Sequence, residues 1–153
     1  MRFIVFLLLA NFLGNPVHAL TCFERNPKDA FRELNKSKEL YLPLVGQLKY
    51  LDPLPDPSTI DPVQSPSNSV KVKFSGNWLT GQKIQDFELD YFLECWGSWC
   101  GGYLSEDEDY ILFVRKQGTD DFSISSTPCP ENTIWPNDNS TRKIFKRCLA
   151  GSC

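Results

Sequence analysis

The sequence predicts a mainly β fold: a five-stranded Greek-key barrel of the OB type with a short helix at each end, stapled by disulfides. Three observations support this class. Runs of alternating apolar residues, typical of strands with one buried face, recur along the chain. No helical pattern of the length that joins parallel strands separates them. Six cysteines, an even number, all follow residue 21. A small sheet without crossover helices is best buried by closing into a barrel, and the OB type is the commonest such solution.

The first predicted element is a helix over residues 27–36. Asn26 can act as its N-cap, and Pro27 suits the first helical position because an N–H there would have no helical partner. A strand over residues 40–50 follows, since leucines and a tyrosine occupy alternate positions. Gly46 falls on the same face of this strand, where a glycine often marks a bulge or a barrel bend.

Four further strands show the same alternation or a continuous apolar run. Their main residues are Val70, Val72 and Phe74; Phe87, Leu89, Tyr91 and Leu93; Tyr110 to Val114; and Phe122, Ile124 and Ser126. The continuous run that begins at Tyr110 predicts a strand covered on both faces. Asn139 or Ser140 is expected to cap a last short helix that carries Ile144 and Phe145.

Turns and loops separate these elements. Gly76-Asn77 and Gly81 predict turns after the second strand. Residues 52–69 contain the prolines Pro53, Pro55, Pro57, Pro62 and Pro66. A central strand cannot hold so many prolines, so we expect an exposed hairpin loop. A ligand segment for an aromatic groove is the alternative for this loop.

Residues 1–19 are typical of a secretory signal peptide. Arg2 supplies the positive charge, the run from Phe3 to Leu9 supplies the apolar region, and Val17-His18-Ala19 fits a signal-peptidase site. The alternative is an uncleaved membrane anchor, but the apolar run is short for a bilayer. We therefore expect residues 20–153 to form one soluble domain without a membrane span, secreted, or periplasmic in a bacterium.

Composition excludes several functional classes. The net charge of −3 argues against a nucleic-acid partner, because phosphate contacts need an excess of lysine and arginine. The single histidine, His18, lies in the predicted signal peptide, which excludes histidine-dependent nucleophiles and histidine-ligated zinc. The run from Glu106 to Asp109 lacks the alternating oxygens and central glycine of a calcium loop and predicts a solvated turn. We expect no enzyme activity, no cofactor and no metal.

Two tryptophans lie close together between the third and fourth strands. Trp96 and Trp99 occur in the segment Cys95-Trp-Gly-Ser-Trp-Cys100, which also contains Ser98. Large apolar groups on such a loop would be costly to expose without a partner. Either both side chains fold onto the barrel as plugs, or they belong to a surface that binds another protein.

The six cysteines of an exported chain predict three disulfides. They are Cys22, Cys95, Cys100, Cys129, Cys148 and Cys153. A thiolate metal site is the alternative, but no two cysteines have the CxxC spacing typical of such sites. Spacing alone leaves the pairing open.

An ordered set of motifs extends over almost the whole of residues 20–153. It consists of Thr21-Cys22 ahead of Ala30-Phe31, Trp78-Leu79-Thr80-Gly81, Cys100-Gly101-Gly102-Tyr103, Asp109-Tyr110-Ile111-Leu112-Phe113, and Ser126-Thr127-Pro128-Cys129 followed by Trp135. This set resembles the tissue inhibitors of metalloproteinases (TIMP) and the wider netrin-like (NTR) domain family. The resemblance implies a non-enzymatic protein that inhibits zinc metalloproteases.

The resemblance also implies a mechanism and a disulfide pairing. In the family, a mature N-terminal cysteine offers its α-amino group and carbonyl oxygen to the protease zinc, held by a disulfide, and the second residue enters the specificity pocket. Leu20 stands where that cysteine belongs, Thr21 matches the pocket residue, and Arg32 replaces a further cysteine. The pairs implied are Cys22 with Cys129, Cys95 with Cys100, and Cys148 with Cys153.

These considerations predict a secreted, monomeric protein-binding module. The residues expected to bind are Leu20, Thr21, Cys22, Phe23, Trp96, Ser98 and Trp99. The first hypothesis is inhibition of a zinc metalloprotease through the mature N-terminus. The second is an extracellular or envelope adhesion or structural module without inhibitory activity, and the third is a small hydrolase that uses carboxylates.

Overall fold

A computed structural model describes residues 22, 25–56, 69–96, 99–129 and 132–153. The predicted signal peptide, the predicted binding residues Leu20, Thr21, Phe23 and Ser98, and the proline-rich loop from residue 57 to 68 lie outside these residues. The helices are α1 (Pro27–Lys36) and α2 (Asn139–Leu149). The strands are β1 (Leu40–Tyr50), β2 (Ser69–Trp78), β3 (Phe87–Leu93), β4 (Cys95–Trp96), β5 (Trp99–Cys100), β6 (Tyr110–Lys116), β7 (Phe122–Ser126) and β8 (Ile134–Pro136).

Five strands close into a barrel in the order β1-β2-β3-β7-β6, with β6 returning to β1. The long strand β1 closes it by pairing with β2 through its C-terminal part and with β6 through its N-terminal part. Strands β3 and β7 run parallel, whereas the other barrel pairs run antiparallel. This is the OB-type Greek-key arrangement, so the predicted fold class is confirmed.

Three short strands, β4, β5 and β8, are not among the five strands of the closed barrel. β8 pairs with the outer side of β6, and β4 pairs with β5 in a separate two-stranded hairpin. The five predicted strands and both predicted helices are present, and α1 spans the predicted residues. No helix among the described residues has the length and apolar character needed to cross a membrane.

Two groups of buried side chains hold the elements together. One fills the barrel and includes Leu44, Leu48, Val72, Phe74, Leu89, Tyr91, Leu112 and Val114. The other lies between the outer face of the barrel and the helices, and consists of Ala30, Leu79, Ile111, Phe113, Trp135 and Phe145. Strand β6 supplies alternate residues to both groups, which confirms the prediction that it is covered on both faces.

The structure corrects two local predictions. Gly76-Asn77 continues strand β2 instead of turning, and the chain turns just after it, where Gly81 has a φ of +104° that favours glycine. Asp138 caps α2 in place of Asn139 or Ser140, because its side chain accepts hydrogen bonds from the backbone N–H groups of the following helix. The other predicted cap, Asn26 on α1, is confirmed, with Oδ1 2.9 Å from the Lys28 nitrogen.

Gly46 marks a close approach of two strands. It pairs with Gly76, and a β-carbon at either position would lie 2.2 Å from a backbone oxygen of the opposite strand. The ring of Phe74 fills the remaining space, 2.9 Å from a β-carbon on Gly46. The register runs through this pair without an extra residue, so β1 has no bulge here.

Candidate functional site

One end of the barrel gathers most of the residues singled out from the sequence. Strands β1, β3 and β7 finish there, and β2 and β6 begin there. The connections at this end follow Tyr50, Leu93 and Ser126, so they include the tryptophan segment. Cys22 is joined to the last of them by its disulfide with Cys129. We name this region the hairpin end.

The tryptophan segment forms the β4–β5 hairpin. Cys95 lies opposite Cys100 and is bonded to it by a disulfide, and Trp96 lies opposite Trp99. Trp96 is 49% exposed and Trp99 is 54% exposed. Neither side chain is therefore a plug buried against the barrel, and both indole groups are accessible to a partner.

The base of the hairpin is held on the barrel through Ser126. Its carbonyl oxygen accepts from the Glu94 nitrogen at 2.9 Å, and the Glu94 oxygen accepts from the Gly101 nitrogen at 2.9 Å. The Gly102 oxygen accepts from the Tyr91 hydroxyl at 2.6 Å and from the Ser126 hydroxyl at 2.9 Å. These bonds pair backbone groups that would otherwise be unsatisfied, and they fix where the hairpin leaves the barrel.

The segment before α1 is fixed beside the hairpin at two points. The first is the Cys22–Cys129 disulfide, and Cys129 follows Ser126 by three residues, which limits their Cα separation to about 11 Å. The second is Arg25, whose guanidinium carbon lies 4.1 Å from the centre of the Trp135 ring. Its Nη2 also donates to a carbonyl oxygen of β8 at 3.0 Å. Cys22 and the tryptophans thus share one side of the protein.

Three tyrosines that are buried or half-buried support this end from inside: Tyr50, Tyr91 and Tyr103. The sequence predicted Tyr50 and Tyr91 as inward-facing strand residues and Tyr103 as part of the Cys100-Gly101-Gly102-Tyr103 motif. The Tyr50 hydroxyl accepts from the Leu104 nitrogen at 2.8 Å and donates to the Leu104 oxygen at 3.2 Å. The Tyr103 hydroxyl donates to the Pro55 oxygen at 3.0 Å, which ties the start of the proline-rich segment to the same end. Burial raises the pKa of Tyr50 to about 12 and also raises the pKa of Tyr91, so both remain neutral donors at ordinary pH.

Apolar surface is concentrated at the hairpin end. Four of the six large apolar side chains that are exposed among the described residues lie there: Leu51, Leu54, Trp96 and Trp99. A cavity of about 290 Å³ beside the base of the hairpin is lined by the apolar residues Tyr103, Leu104, Pro128 and Ile134, together with Gly102, Ser126 and Thr127. Exposed apolar surface of this kind marks interaction sites more often than scattered single residues do.

The acidic run at the same end forms a solvated turn, as predicted. The Glu106 carboxylate accepts from the Tyr50 nitrogen at 2.6 Å, and Glu108 accepts from the Tyr110 hydroxyl at 2.9 Å. Within the part of the chain that the structure describes, no three side chains of the metal-binding types come together. The exposed apolar side chains and the hydrogen-bonded, disulfide-closed backbone of the hairpin end suit binding.

Comparisons with models of protein families, with curated proteins and with solved structures found no match to this chain.

Proposed function

We propose that this chain is an exported, non-enzymatic module that binds another protein through the hairpin end. The observation that carries the proposal is the accessible pair Trp96–Trp99 on a disulfide-closed hairpin, beside the Cys22–Cys129 bridge. Tryptophan is enriched among the residues that dominate protein interfaces, because its large apolar body buries much area with few rotatable bonds. A support that is already rigid lowers the entropy lost on binding.

Export is supported by the cysteines and by the start of the sequence. All six cysteines are paired in disulfides, which form and persist in oxidising compartments. Residues 1–19 have the charge, apolar run and small residues of a secretory signal. Both features fit an extracellular protein, or a periplasmic one in a bacterium.

The more specific form of the proposal is inhibition of a zinc metalloprotease, which the resemblance to TIMP and netrin-like modules suggests. After cleavage behind Ala19, Leu20 would carry a free α-amino group and a carbonyl oxygen. Catalytic zinc keeps an open position that such nitrogen and oxygen donors can fill. The disulfide of Cys22 anchors the chain two residues later, which limits the ordering cost.

The test of chelation blocks that amine. The mature N-terminus is first established by mass spectrometry, and the protein is then assayed against zinc metalloprotease catalytic domains before and after selective α-acetylation. We expect acetylation, or one extra alanine ahead of Leu20, to abolish inhibition. Inhibition that persists after either change would exclude chelation through this amine.

The test of the surface uses the exposed tryptophans. Trp96→Ala and Trp99→Ala should each weaken binding to the inhibited protease by at least tenfold, since central aromatic contacts cost about 2 kcal/mol or more when truncated. Leu40→Ala is the matched control, because Leu40 is 57% exposed at the opposite end of the barrel. Equal effects of all three changes would contradict the assignment of the surface.

A second function is favoured by one departure from the resembled family. Leu20 replaces the chelating cysteine, so the mature terminus lacks the disulfide that would hold its amine rigid. The corresponding function is an adhesion or structural module that keeps the barrel and does not inhibit. Proteases that retain full activity at high concentrations of the protein would favour this alternative.

A further inference from the structure

A second concave site lies on the side of the barrel, between α2 and the outer face of β1 and β2. Its volume is about 350 Å³, within the range of about 300–1,000 Å³ typical of ligand pockets. Gln47 and Asn77 line it from the strands, Arg142 and Lys146 line it from the helix, and Asp109 lines it from the acidic turn. Among the described residues, none lines both this cavity and the one beside the hairpin.

Helix α2 is rich in positive charge, and two of its cations line this cavity. It holds four cationic residues, namely Arg142, Lys143, Lys146 and Arg147, and no carboxylate, in a chain whose net charge is −3. Arg142 and Lys146 are four residues apart and therefore share one face of the helix. No carboxylate of a described residue lies within ion-pair distance of either cation. The cavity thus has two positive groups that ion pairs with the described residues do not neutralise.

The arginine is already oriented. Arg142 is half-buried, and its Nε and Nη2 both donate to Asn137 Oδ1, the first at 3.0 Å. A guanidinium held in this way loses little entropy when it binds an acidic group, and its planar donors suit carboxylate and sulfate oxygens. Lys146 is exposed and adds a second charge one helical turn away.

The other lining groups narrow the class of ligand. The amides of Gln47 and Asn77 can both donate and accept hydrogen bonds, and the Asp109 carboxylate accepts them. A simple inorganic anion would gain nothing from the carboxylate, whereas the hydroxyl groups of a sugar can donate to it. Trp78 adds an aromatic wall, as is common in ligand pockets.

We propose that this cavity binds an acidic sugar, a uronic acid or a sulfated unit of an oligosaccharide, with its acidic group on Arg142 and Lys146. The hydroxyl groups of the sugar face Gln47, Asn77 and Asp109. This cavity shares no described lining residue with the cavity beside the hairpin and contains neither Trp96 nor Trp99, so the proposal does not depend on the function proposed for the hairpin end.

The test measures direct binding to the intact, disulfide-bonded protein by calorimetry. The probes are tri-galacturonate, a sulfated heparin tetrasaccharide and neutral cellotetraose at one fixed salt concentration. We expect at least one acidic probe to bind and the neutral probe to bind at least tenfold more weakly. The comparison of the two acidic probes identifies carboxylate or sulfate as the preferred group.

Charge-matched variants decide whether the cavity is responsible. Lys146→Gln and Arg142→Gln should each weaken binding of the acidic probe about tenfold, the change that corresponds to about 1.4 kcal/mol. Lys143→Gln and Arg147→Gln remove the same charge from the same helix outside the cavity, and should change affinity less than about threefold. Thermal unfolding checks that each variant is folded. If Arg142→Gln does not fold, Lys146→Gln still tests the proposal, because the Lys146 side chain is exposed. Equal losses in all four variants, equal binding of cellotetraose, or no binding of either acidic probe would overturn the proposal.

Discussion

Gly101 lies against Ser126 so closely that a β-carbon on the glycine would stand 2.2 Å from the serine carbonyl oxygen. The same serine accepts a hydrogen bond from the Glu94 nitrogen on the other side of the hairpin. Its strand leads within three residues to Cys129, which holds Cys22. The strand that supports the base of the hairpin therefore also leads to the disulfide of the N-terminal segment.

Replacement of this glycine should loosen the hairpin. We expect Gly101→Ala to lower the free energy of unfolding by about 1–3 kcal/mol, because the Ser126 backbone must move to admit a methyl group. Gly102→Ala is the control: a β-carbon there meets no atom within 4 Å, and the change should cost less than about 0.5 kcal/mol. Urea denaturation followed by circular dichroism measures both, and similar losses would show that the contact is not what holds the hairpin.

The barrel could be predicted because its signal is local. Alternation at Leu89, Tyr91 and Leu93 marks a buried face within one strand, whatever that strand pairs with. Strand β8 carries no such signal, since three residues around Trp135 are too short for a period and become a strand only by pairing with β6. Gly76 resembled a turn residue for the same reason: its partner Gly46 lies far away in the sequence.

The candidate site was less accessible to sequence reasoning. Whether Trp96 and Trp99 are buried depends on the direction in which the hairpin leaves the barrel, and Ser126 sets this direction from a distant strand.

The N-cap of helix α2 shows a similar limit of sequence reasoning. Asp138, Asn139 and Ser140 are all good N-caps by residue type, and only the extended backbone of Asp138, with φ −88° and ψ 158°, selects among them.

The cap of α2 gives a pH-dependent prediction. Hydrogen bonds from Ser140 and Thr141 hold the pKa of Asp138 well below its usual range. A lowered carboxylate pKa contributes stability above the unfolded value near 3.8, and this contribution is lost as the pH falls below it. Asp138→Ala should cost about 1 kcal/mol at pH 7, and the difference should shrink toward pH 2. Asn139→Ala, one residue on, should be nearly neutral in the same denaturation series. A loss in Asn139→Ala as large as that in Asp138→Ala would mean that the cap is assigned to the wrong residue.

Tyr50 predicts the opposite pH dependence at the alkaline end. Burial raises its pKa from 10.0 to about 12, so the folded protein keeps a proton that the unfolded chain loses. This contribution to stability is complete below pH 10 and declines as the pH rises from about 10 to about 12. In Tyr50→Phe, the free energy of unfolding should fall less steeply over this pH range. The remaining decline comes from Tyr91, because burial raises its pKa as well. Rapid chemical denaturation at pH 9 and pH 11 measures the loss of unfolding free energy between the two pH values for the native protein and for Tyr50→Phe. Identical losses would contradict the assignment of the raised pKa to Tyr50.

The disulfides should differ in what they contribute to stability. Cys22–Cys129 joins residues 107 apart in sequence, whereas Cys148–Cys153 joins residues 5 apart. Because a cross-link restricts the unfolded chain more when its loop is longer, Cys22→Ser with Cys129→Ser should cost about 4–5 kcal/mol, and Cys148→Ser with Cys153→Ser about 2 kcal/mol. Denaturation of both double variants, with the remaining pairs checked by non-reducing mass spectrometry, measures the difference. The first variant should also bind more weakly at the hairpin end, since its N-terminal segment loses one of two anchors while Trp96 and Trp99 stay in place. Equal stabilities of the two double variants would contradict the loop-length argument. Binding unchanged by the loss of the Cys22–Cys129 bridge would show that the N-terminal tether is not part of the binding surface.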